Sequence, residues 1–298
     1  MKNFIFACFF GLTAAVAHAD LKVFATVPEW GALAKEIGGD KVKVYTATNA
    51  FQDPHRIEAR PSLLAQARQA NLVVAAGADL EIGWLPLVLR DSGNSAIQPG
   101  KPGYFEAAAQ VNRLEVPTKL DRANGDVHAA GNPHTHLDPR NVLKVGEALT
   151  ARMVELDAPN ATAYQAGYQA FAGKWQVAMT RWQNEAAPLR GAQVLVHHAS
   201  FVYLLNWLGM KEVGTLEPKP GIEPSSGHLT DLLARQQIVP AKMVLRAAYQ
   251  QEGPSQWIAG KTGIAAVMLP YTVGGTPEAK DLFGLFEDSI QRLLKGLR

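Results

Sequence analysis

Histidines cluster in one short stretch of the sequence, residues 125–139, and their side chains can bind a metal ion. The stretch reads GDVHAAGNPHTHLDP and contains His128, His134 and His136. Imidazole is a common protein ligand for Zn²⁺ and similar ions. Glycine and proline recur through the stretch and exclude a regular helix or strand, so these imidazoles should lie on a constrained loop. A His-x-His pair alone is a weak signal, and the hypothesis of a metal site depends on the other histidines.

Two further histidines fall where ligands bind in α/β proteins. His55 lies in the loop after a strand predicted at residues 41–48, and His198 ends a strand predicted at residues 193–198. Ligands of open α/β sheets bind beyond the carboxyl ends of the strands. His134 lies just before a predicted helix. We therefore predict that His55 and His134, from one half of the chain, meet His198 from the other half across a cleft.

Short apolar strands alternate with helical segments, which predicts βαβ units and mostly parallel sheets. Strands are predicted at residues 21–27, 41–48, 71–77, 193–198, 213–216, 241–248 and 264–269. Helices are predicted at residues 28–38, 61–70, 84–89, 141–156, 201–208, 228–237, 254–260 and 277–297. Residues 91–103 are rich in turn-forming residues and predict no regular element.

One predicted helix, residues 157–187, is longer than the others. Its aromatic residues recur at intervals of three and four and so share one face: Tyr164, Tyr168, Phe171, Trp175 and Trp182. Such a helix would extend roughly 40 Å. It is either a core helix of one domain or a rigid connection between two. We predict an α/β protein with lobes at residues 20–156 and 188–298, joined by this helix, with a metal cleft between the lobes.

The N-terminus has the features of a signal peptide. Lys2 precedes an apolar run at residues 4–16, and small residues flank a cleavage site at residues 17–19. The run is too short for a transmembrane helix. This pattern predicts that residues 1–19 are removed on export to the periplasm. Cys8 is the only cysteine, so the exported chain has no thiol, and any metal must bind to nitrogen and oxygen.

The charge balance argues against some partners. The sequence contains 29 basic and 27 acidic residues. This balance gives no electrostatic reason to expect binding to nucleic acid or to a membrane surface.

Four separated motifs resemble those of the cluster A-I metal-specific solute-binding proteins of ABC transporters, a family that includes zinc-uptake proteins. The motifs are Asp53-Pro54-His55 and residues 132–139, 198–203 and 217–225. The resemblance covers essentially the whole predicted mature chain. It implies His55, His134 and His198 as the metal ligands. It also implies a non-enzymatic, monomeric periplasmic protein that passes Zn²⁺ to a permease in the inner membrane.

The sequence departs from the family pattern at two places. Pro270 stands where the family usually has an acid as fourth ligand, in the sequence Leu-Pro-Tyr. The long histidine-rich loop of many zinc members is absent, and the short segment 126–136 takes its position. His128 and His136 are therefore candidates for an auxiliary capture site. For the fourth coordination position we favour water or another exogenous ligand over the side chains of His136, Glu58 and Glu223.

Ligand chemistry favours zinc, but other functions share the same site. Manganese prefers carboxylates, whereas three imidazoles with an oxygen fourth ligand suit zinc; copper and nickel also bind nitrogen. Three histidines and a water also form a catalytic zinc site, so a zinc-dependent periplasmic hydrolase is an alternative. The sequence lacks the His-Glu-x-x-His, Gly-x-Ser-x-Gly and phosphate-loop motifs of common hydrolases. A manganese-binding protein, an adhesin and a metal-storage protein remain further alternatives.

Overall fold

The computed structural model describes residues 20–118 and 128–298. The predicted signal peptide, residues 1–19, lies outside the described residues. The chain forms two four-stranded parallel sheets, each packed against helices, and one long helix connects them. The predicted α/β class with two lobes is confirmed. Within the described part of the chain, no helix combines the length and apolar character needed to span a membrane.

The first lobe contains four parallel strands in the order β2-β1-β3-β4. The strands are β1 (Leu21–Ala25), β2 (Val42–Thr46), β3 (Leu72–Ala75) and β4 (Tyr104–Glu106). The helices are α1 (Pro28–Gly38), α2 (Pro61–Gln69), α3 (Leu85–Ser92) and α4 (Pro139–Leu156). Strand β4 was not predicted: it has only three residues and directly follows a turn-rich segment, so it lacks the apolar alternation that marks a longer strand.

The second lobe repeats this arrangement with the order β6-β5-β7-β8. Its strands are β5 (Gln193–Val196), β6 (Lys211–Thr215), β7 (Met243–Ala247) and β8 (Ala265–Leu269). Its helices are α6 (Val202–Leu208), α7 (Ser226–Gln236), α8 (Gly253–Thr262) and α9 (Leu282–Leu297), with the long connecting helix α5 (Ala161–Glu185) before β5. In each sheet the strand order reverses beside the first strand, and ligands of such sheets bind at that reversal.

Two helices begin later than predicted, each for a local reason. Helix α9 begins at Leu282 because the carboxylate of Asp281 accepts a hydrogen bond from the Gly284 amide at 2.8 Å and caps the first turn. Helix α5 begins at Ala161 because residues Ala158–Asn160 form a separate 3₁₀ turn. With 25 residues, α5 extends about 38 Å.

The aromatic face of α5 packs against both lobes. Trp175 donates a hydrogen bond from Nε1 to the carbonyl oxygen of Pro139, in the first lobe, at 2.8 Å. Trp182 stacks on Phe286 of α9, in the second lobe, with ring centroids 5.3 Å apart. One continuous buried apolar cluster therefore runs from the first lobe through α5 into the second.

Gly167 sets the distance between α5 and α1. A Cβ atom at this position would lie 2.1 Å from the carbonyl oxygen of Ile37, and backbone cannot move away as a flexible side chain can. The close approach of the two helices therefore requires glycine at residue 167.

Two alanine substitutions in α5 should change stability in opposite directions. Replacing a glycine inside a helix with alanine stabilises by about 1 kcal/mol when there is room, whereas overpacking costs about 1–3 kcal/mol. We expect Gly167→Ala to lower the free energy of unfolding in urea. Gly173→Ala should raise it, because a Cβ atom there meets no atom within 4 Å. An equal gain from both variants would contradict the close approach at Gly167.

Candidate metal centre

Three histidines converge between the lobes. His55, His134 and His198 each present a ring nitrogen, and these nitrogens lie within 4.8 Å of one another. Their ring centroids form a nearly equilateral triangle with sides of 5.6, 5.7 and 5.8 Å. His134 and His198 are buried and His55 is half-buried. The structure therefore brings together the three side chains that the sequence singled out as ligands.

Local hydrogen bonds hold the segments that carry these histidines. His55 lies in the loop after β2, where the carbonyl oxygen of Pro54 accepts a hydrogen bond from Trp84 Nε1 at 3.0 Å. The backbone amide of His134 donates to Asn132 Oδ1 at 3.1 Å, and Asn132 Nδ2 donates to the carbonyl oxygen of Ala199 at 2.8 Å. Because Ala199 directly follows His198, Asn132 ties the two ligand segments of opposite lobes together.

Two carboxylates select the tautomers of His55 and His198. His55 Nδ1 lies 2.8 Å from Asp53 Oδ1, and His198 Nδ1 lies 2.7 Å from Glu217 Oε2. Since a carboxylate accepts hydrogen bonds, each Nδ1 carries the proton and each Nε2 keeps a lone pair for a metal. Burial alone would raise the pKa of Asp53, but the hydrogen bond and charge of His55 outweigh it and lower that pKa.

His134 is held neutral with one nitrogen unpaired. Burial, followed by the neighbouring imidazoles of His55 and His198, holds the pKa of His134 well below its usual value. Its Nδ1 lies 2.9 Å from the phenol oxygen of Tyr271. Its Nε2 is buried and has no hydrogen-bond partner among the described residues. A buried, uncharged and unpaired imidazole nitrogen between two other imidazoles fits a divalent metal ion.

Tyr271 follows β8 and takes the part of an outer hydrogen-bond partner. Burial raises the pKa of Tyr271 well above its usual value, so the phenol stays protonated at neutral pH. For His134 to coordinate through Nε2, its Nδ1 must keep the proton and donate it to the phenol oxygen. Our sequence analysis missed the roles of Tyr271, Asp53 and Glu217. The position of Asp53 two residues before His55, and of Tyr271 beside the missing acid, were the available signals.

The structure contradicts the prediction that His136 serves an auxiliary capture site. Its side chain is only 2% exposed. Its Nδ1 lies 3.2 Å from Glu29 Oε1, and its Nε2 donates to the carbonyl oxygen of Tyr271 at 2.9 Å. Both nitrogens are thus engaged within the protein, which also removes His136 as a fourth ligand. Glu29 in turn accepts a hydrogen bond from the Thr272 hydroxyl, so this pair connects the first lobe to the second.

The remaining candidates from the sequence lie around the three histidines. His128 Nε2 lies 3.3 Å from His55 Nε2, and the two rings stack with centroids 5.3 Å apart. Glu58 and Glu223 are exposed, and neither belongs to the group of ligand atoms within 4.8 Å of one another. His128 is therefore the candidate that the structure places beside the three histidines.

The fold and this histidine cluster define the class of protein: a substrate-binding component of a metal ABC transporter. The family model described as zinc-uptake complex component A, periplasmic (ZnuA), matches residues 23–296, and the chain belongs to this family. The resemblance that the sequence motifs carried is confirmed.

Curated relatives support the same class but differ in their metal. The chain is 24% identical over 173 residues to the metal ABC transporter substrate-binding lipoprotein SsaB of Streptococcus sanguinis; this alignment covers 57% of the chain and 53% of SsaB, about half its length. It is 21% identical over 307 residues to the manganese ABC transporter substrate-binding lipoprotein PsaA of Streptococcus pneumoniae, covering 98% and 94% of the two chains. A zinc family and a manganese-named relative therefore both match the chain.

A solved structure has the same fold. The crystal structure of ZnuA superposes with a TM-score of 0.77 at 22% identity, covering 94% of this chain and 100% of that one. At this identity the likeness concerns the arrangement of lobes, sheets and helices.

Replacing Tyr271 with phenylalanine should weaken zinc binding. The variant removes the acceptor for His134 Nδ1–H, and loss of such an outer partner typically lowers metal affinity about 10–100-fold. Tyr249→Phe is the matched control, because its ring packs 5.3 Å from that of Tyr271 while its hydroxyl bonds to Ser200 and Gln250 instead. Isothermal titration calorimetry measures both affinities. Equal losses in the two variants would show that packing, and not the bond to His134, is responsible.

Proposed function

We propose that this protein captures Zn²⁺ in the periplasm with His55, His134 and His198 and delivers it to the permease of an ABC importer. The observation that carries the proposal is the convergence of three imidazole nitrogens within 4.8 Å of one another. In this proposal residues 1–19 direct export, and the lobes at residues 20–156 and 188–298 close on the metal around the helix at residues 157–187.

The donor set favours zinc over manganese. All three inner groups are imidazoles, and the nearby carboxylates of Asp53 and Glu217 are directed to the outer nitrogens of His55 and His198. Manganese prefers sites with several carboxylate oxygens, whereas zinc binds readily to a tetrahedral set of nitrogens. The family description names zinc, and one relative is named for manganese. The side chains of this particular chain support zinc.

The space beside the histidines favours an ion as cargo. The cavities that border the cluster have volumes of about 180 and 140 Å³. Sites for organic ligands usually measure about 300–1,000 Å³. A small, polar cleft therefore supports binding and release of a metal ion without turnover of an organic substrate.

A contact between the lobes lies at the mouth of this cleft. Arg56 Nη2, in the first lobe, donates a hydrogen bond to the carbonyl oxygen of Gly221, in the second, at 2.9 Å. Both residues line the cavity that contains His55 and His198. The proposed delivery to a permease requires this contact to open, since the metal is otherwise covered on that side.

Zinc should bind with 1:1 stoichiometry, and alanine at any of the three histidines should weaken binding by more than about 100-fold, beyond the 10–100-fold effect of outer partners. The reason is that two imidazoles are too few for a tight tetrahedral site. Titration calorimetry with Zn²⁺ and with Mn²⁺ measures the affinities. His228→Ala is the control, because His228 bonds to the carbonyl oxygen of Thr215 and lies outside the cluster.

Three results would count against this proposal. Near-wild-type zinc affinity in His55→Ala, His134→Ala or His198→Ala would remove that residue from the site. A preference for Mn²⁺ over Zn²⁺ would assign the protein to manganese uptake. Hydrolytic turnover by the zinc-loaded protein would favour the enzymatic alternative.

Acidification from about pH 7.5 to about pH 5.5 should weaken zinc binding and make binding release protons. Each ligand nitrogen must be unprotonated, and an ordinary histidine takes up a proton near pH 6.5. His134 moderates this loss: because its pKa is lowered, protonation requires a more acidic solution, and it stays neutral where an ordinary histidine is charged. Calorimetry in buffers of different ionisation enthalpy counts the protons. Constant affinity over this range would contradict an imidazole site.

A further inference from the structure

We infer that His128 is a fourth protein ligand, so that four imidazoles bind the zinc ion and no water completes the tetrahedron. The inference rests on the function proposed above and deepens it. It replaces the exogenous ligand that the sequence analysis favoured.

The distance between His128 and His55 matches one edge of a zinc tetrahedron. Their Nε2 atoms lie 3.3 Å apart. Two nitrogens that are each about 2.0–2.1 Å from a tetrahedral zinc ion are separated by about 3.3–3.4 Å. The two rings therefore already hold the separation that shared coordination requires.

The outer contact of His55 shows what these two nitrogens do without metal. His55 Nδ1 donates its proton to Asp53, which leaves a lone pair on His55 Nε2. The facing Nε2 of His128 then donates a hydrogen bond to that lone pair. When zinc binds, His128 must transfer this proton from Nε2 to Nδ1 through solvent, and its freed lone pair then points into the same space as that of His55.

His128 also borders the space between the other two ligands. A cavity of about 140 Å³ is lined by His128, His134 and His198. The ring nitrogens of His128 are not within 4.8 Å of all three partners, so the His128 ring must move inward. Its half-buried position leaves room for that movement, in contrast to the buried rings of His134 and His198.

The second lobe of this chain offers no acid at the position after β8, where Pro270 and Tyr271 stand. Pro270 has no group that can coordinate, and the Tyr271 hydroxyl is engaged with His134. A fourth ligand from the first lobe, approaching beside His55, completes the site from the other side. The resulting all-nitrogen set would discriminate against manganese more strongly than three imidazoles and a water.

The test counts metal-bound imidazoles directly. Long-range ¹H–¹⁵N correlation spectra of the zinc-loaded, ¹⁵N-labelled protein distinguish coordinated ring nitrogens from free ones. We expect four metal-shifted imidazoles in the wild type and three in His128→Ala, with zinc affinity lowered at least about tenfold. His228→Ala should leave four. The wild-type count does not depend on any variant being stable, and melting of the metal-free variants reports their folding.

The outcomes separate this inference from the proposed function. Three shifted imidazoles in the wild type, or unchanged zinc affinity in His128→Ala, would overturn the fourth ligand and leave a hydrogen bond between His128 and His55. If His55→Ala and His198→Ala also bind zinc normally, the proposed function itself fails. Loss of one shifted imidazole in His128→Ala alone, with the other three retained, establishes the four-imidazole site.

Discussion

The buried pair of Glu29 and His136 is the interaction on which the geometry of the cleft depends. Both side chains are almost completely buried; Glu29 belongs to α1 of the first lobe, and both residues contact the segment after β8 in the second. Removing two polar side chains from water is costly unless every hydrogen-bonding atom finds a partner. Here Tyr271 and Thr272 supply partners. The same contacts fix the backbone from which the Tyr271 ring reaches His134.

This arrangement explains why two lobes can build one ligand set. The long helix α5 is buried against both lobes along its aromatic face, so their cores are continuous on one side of the molecule. On the other side, only polar contacts such as Arg56 to Gly221 and Asn132 to Ala199 cross the cleft. Polar contacts exchange readily with water, whereas apolar contacts resist separation. Opening is therefore easiest at the mouth, and α5 acts as the fixed side.

Sequence patterns predicted the fold and the three converging histidines well, because apolar periodicity and loop position are local properties. They failed where tertiary contacts decide. Strand β4 is too short to show a period, and its pairing with β3 stabilises it. His136 reads as a surface histidine in a glycine- and proline-rich loop, yet Glu29, more than a hundred residues earlier, draws it into the core. The outer partners Glu217 and Tyr271 are likewise distant in sequence from the histidines they contact.

The two carboxylates behind the ligand histidines have a consequence for which ions the cleft can hold. Neutral imidazoles leave the full charge of a bound cation uncompensated, but Asp53 and Glu217 each place one negative charge a single imidazole away. Two counterions neutralise a doubly charged cation and match neither a singly nor a triply charged one. Asp53 belongs to the first lobe and Glu217 to the second. Separating the lobes therefore divides the counterions, and the ion becomes electrostatically unbalanced at the moment it is exposed.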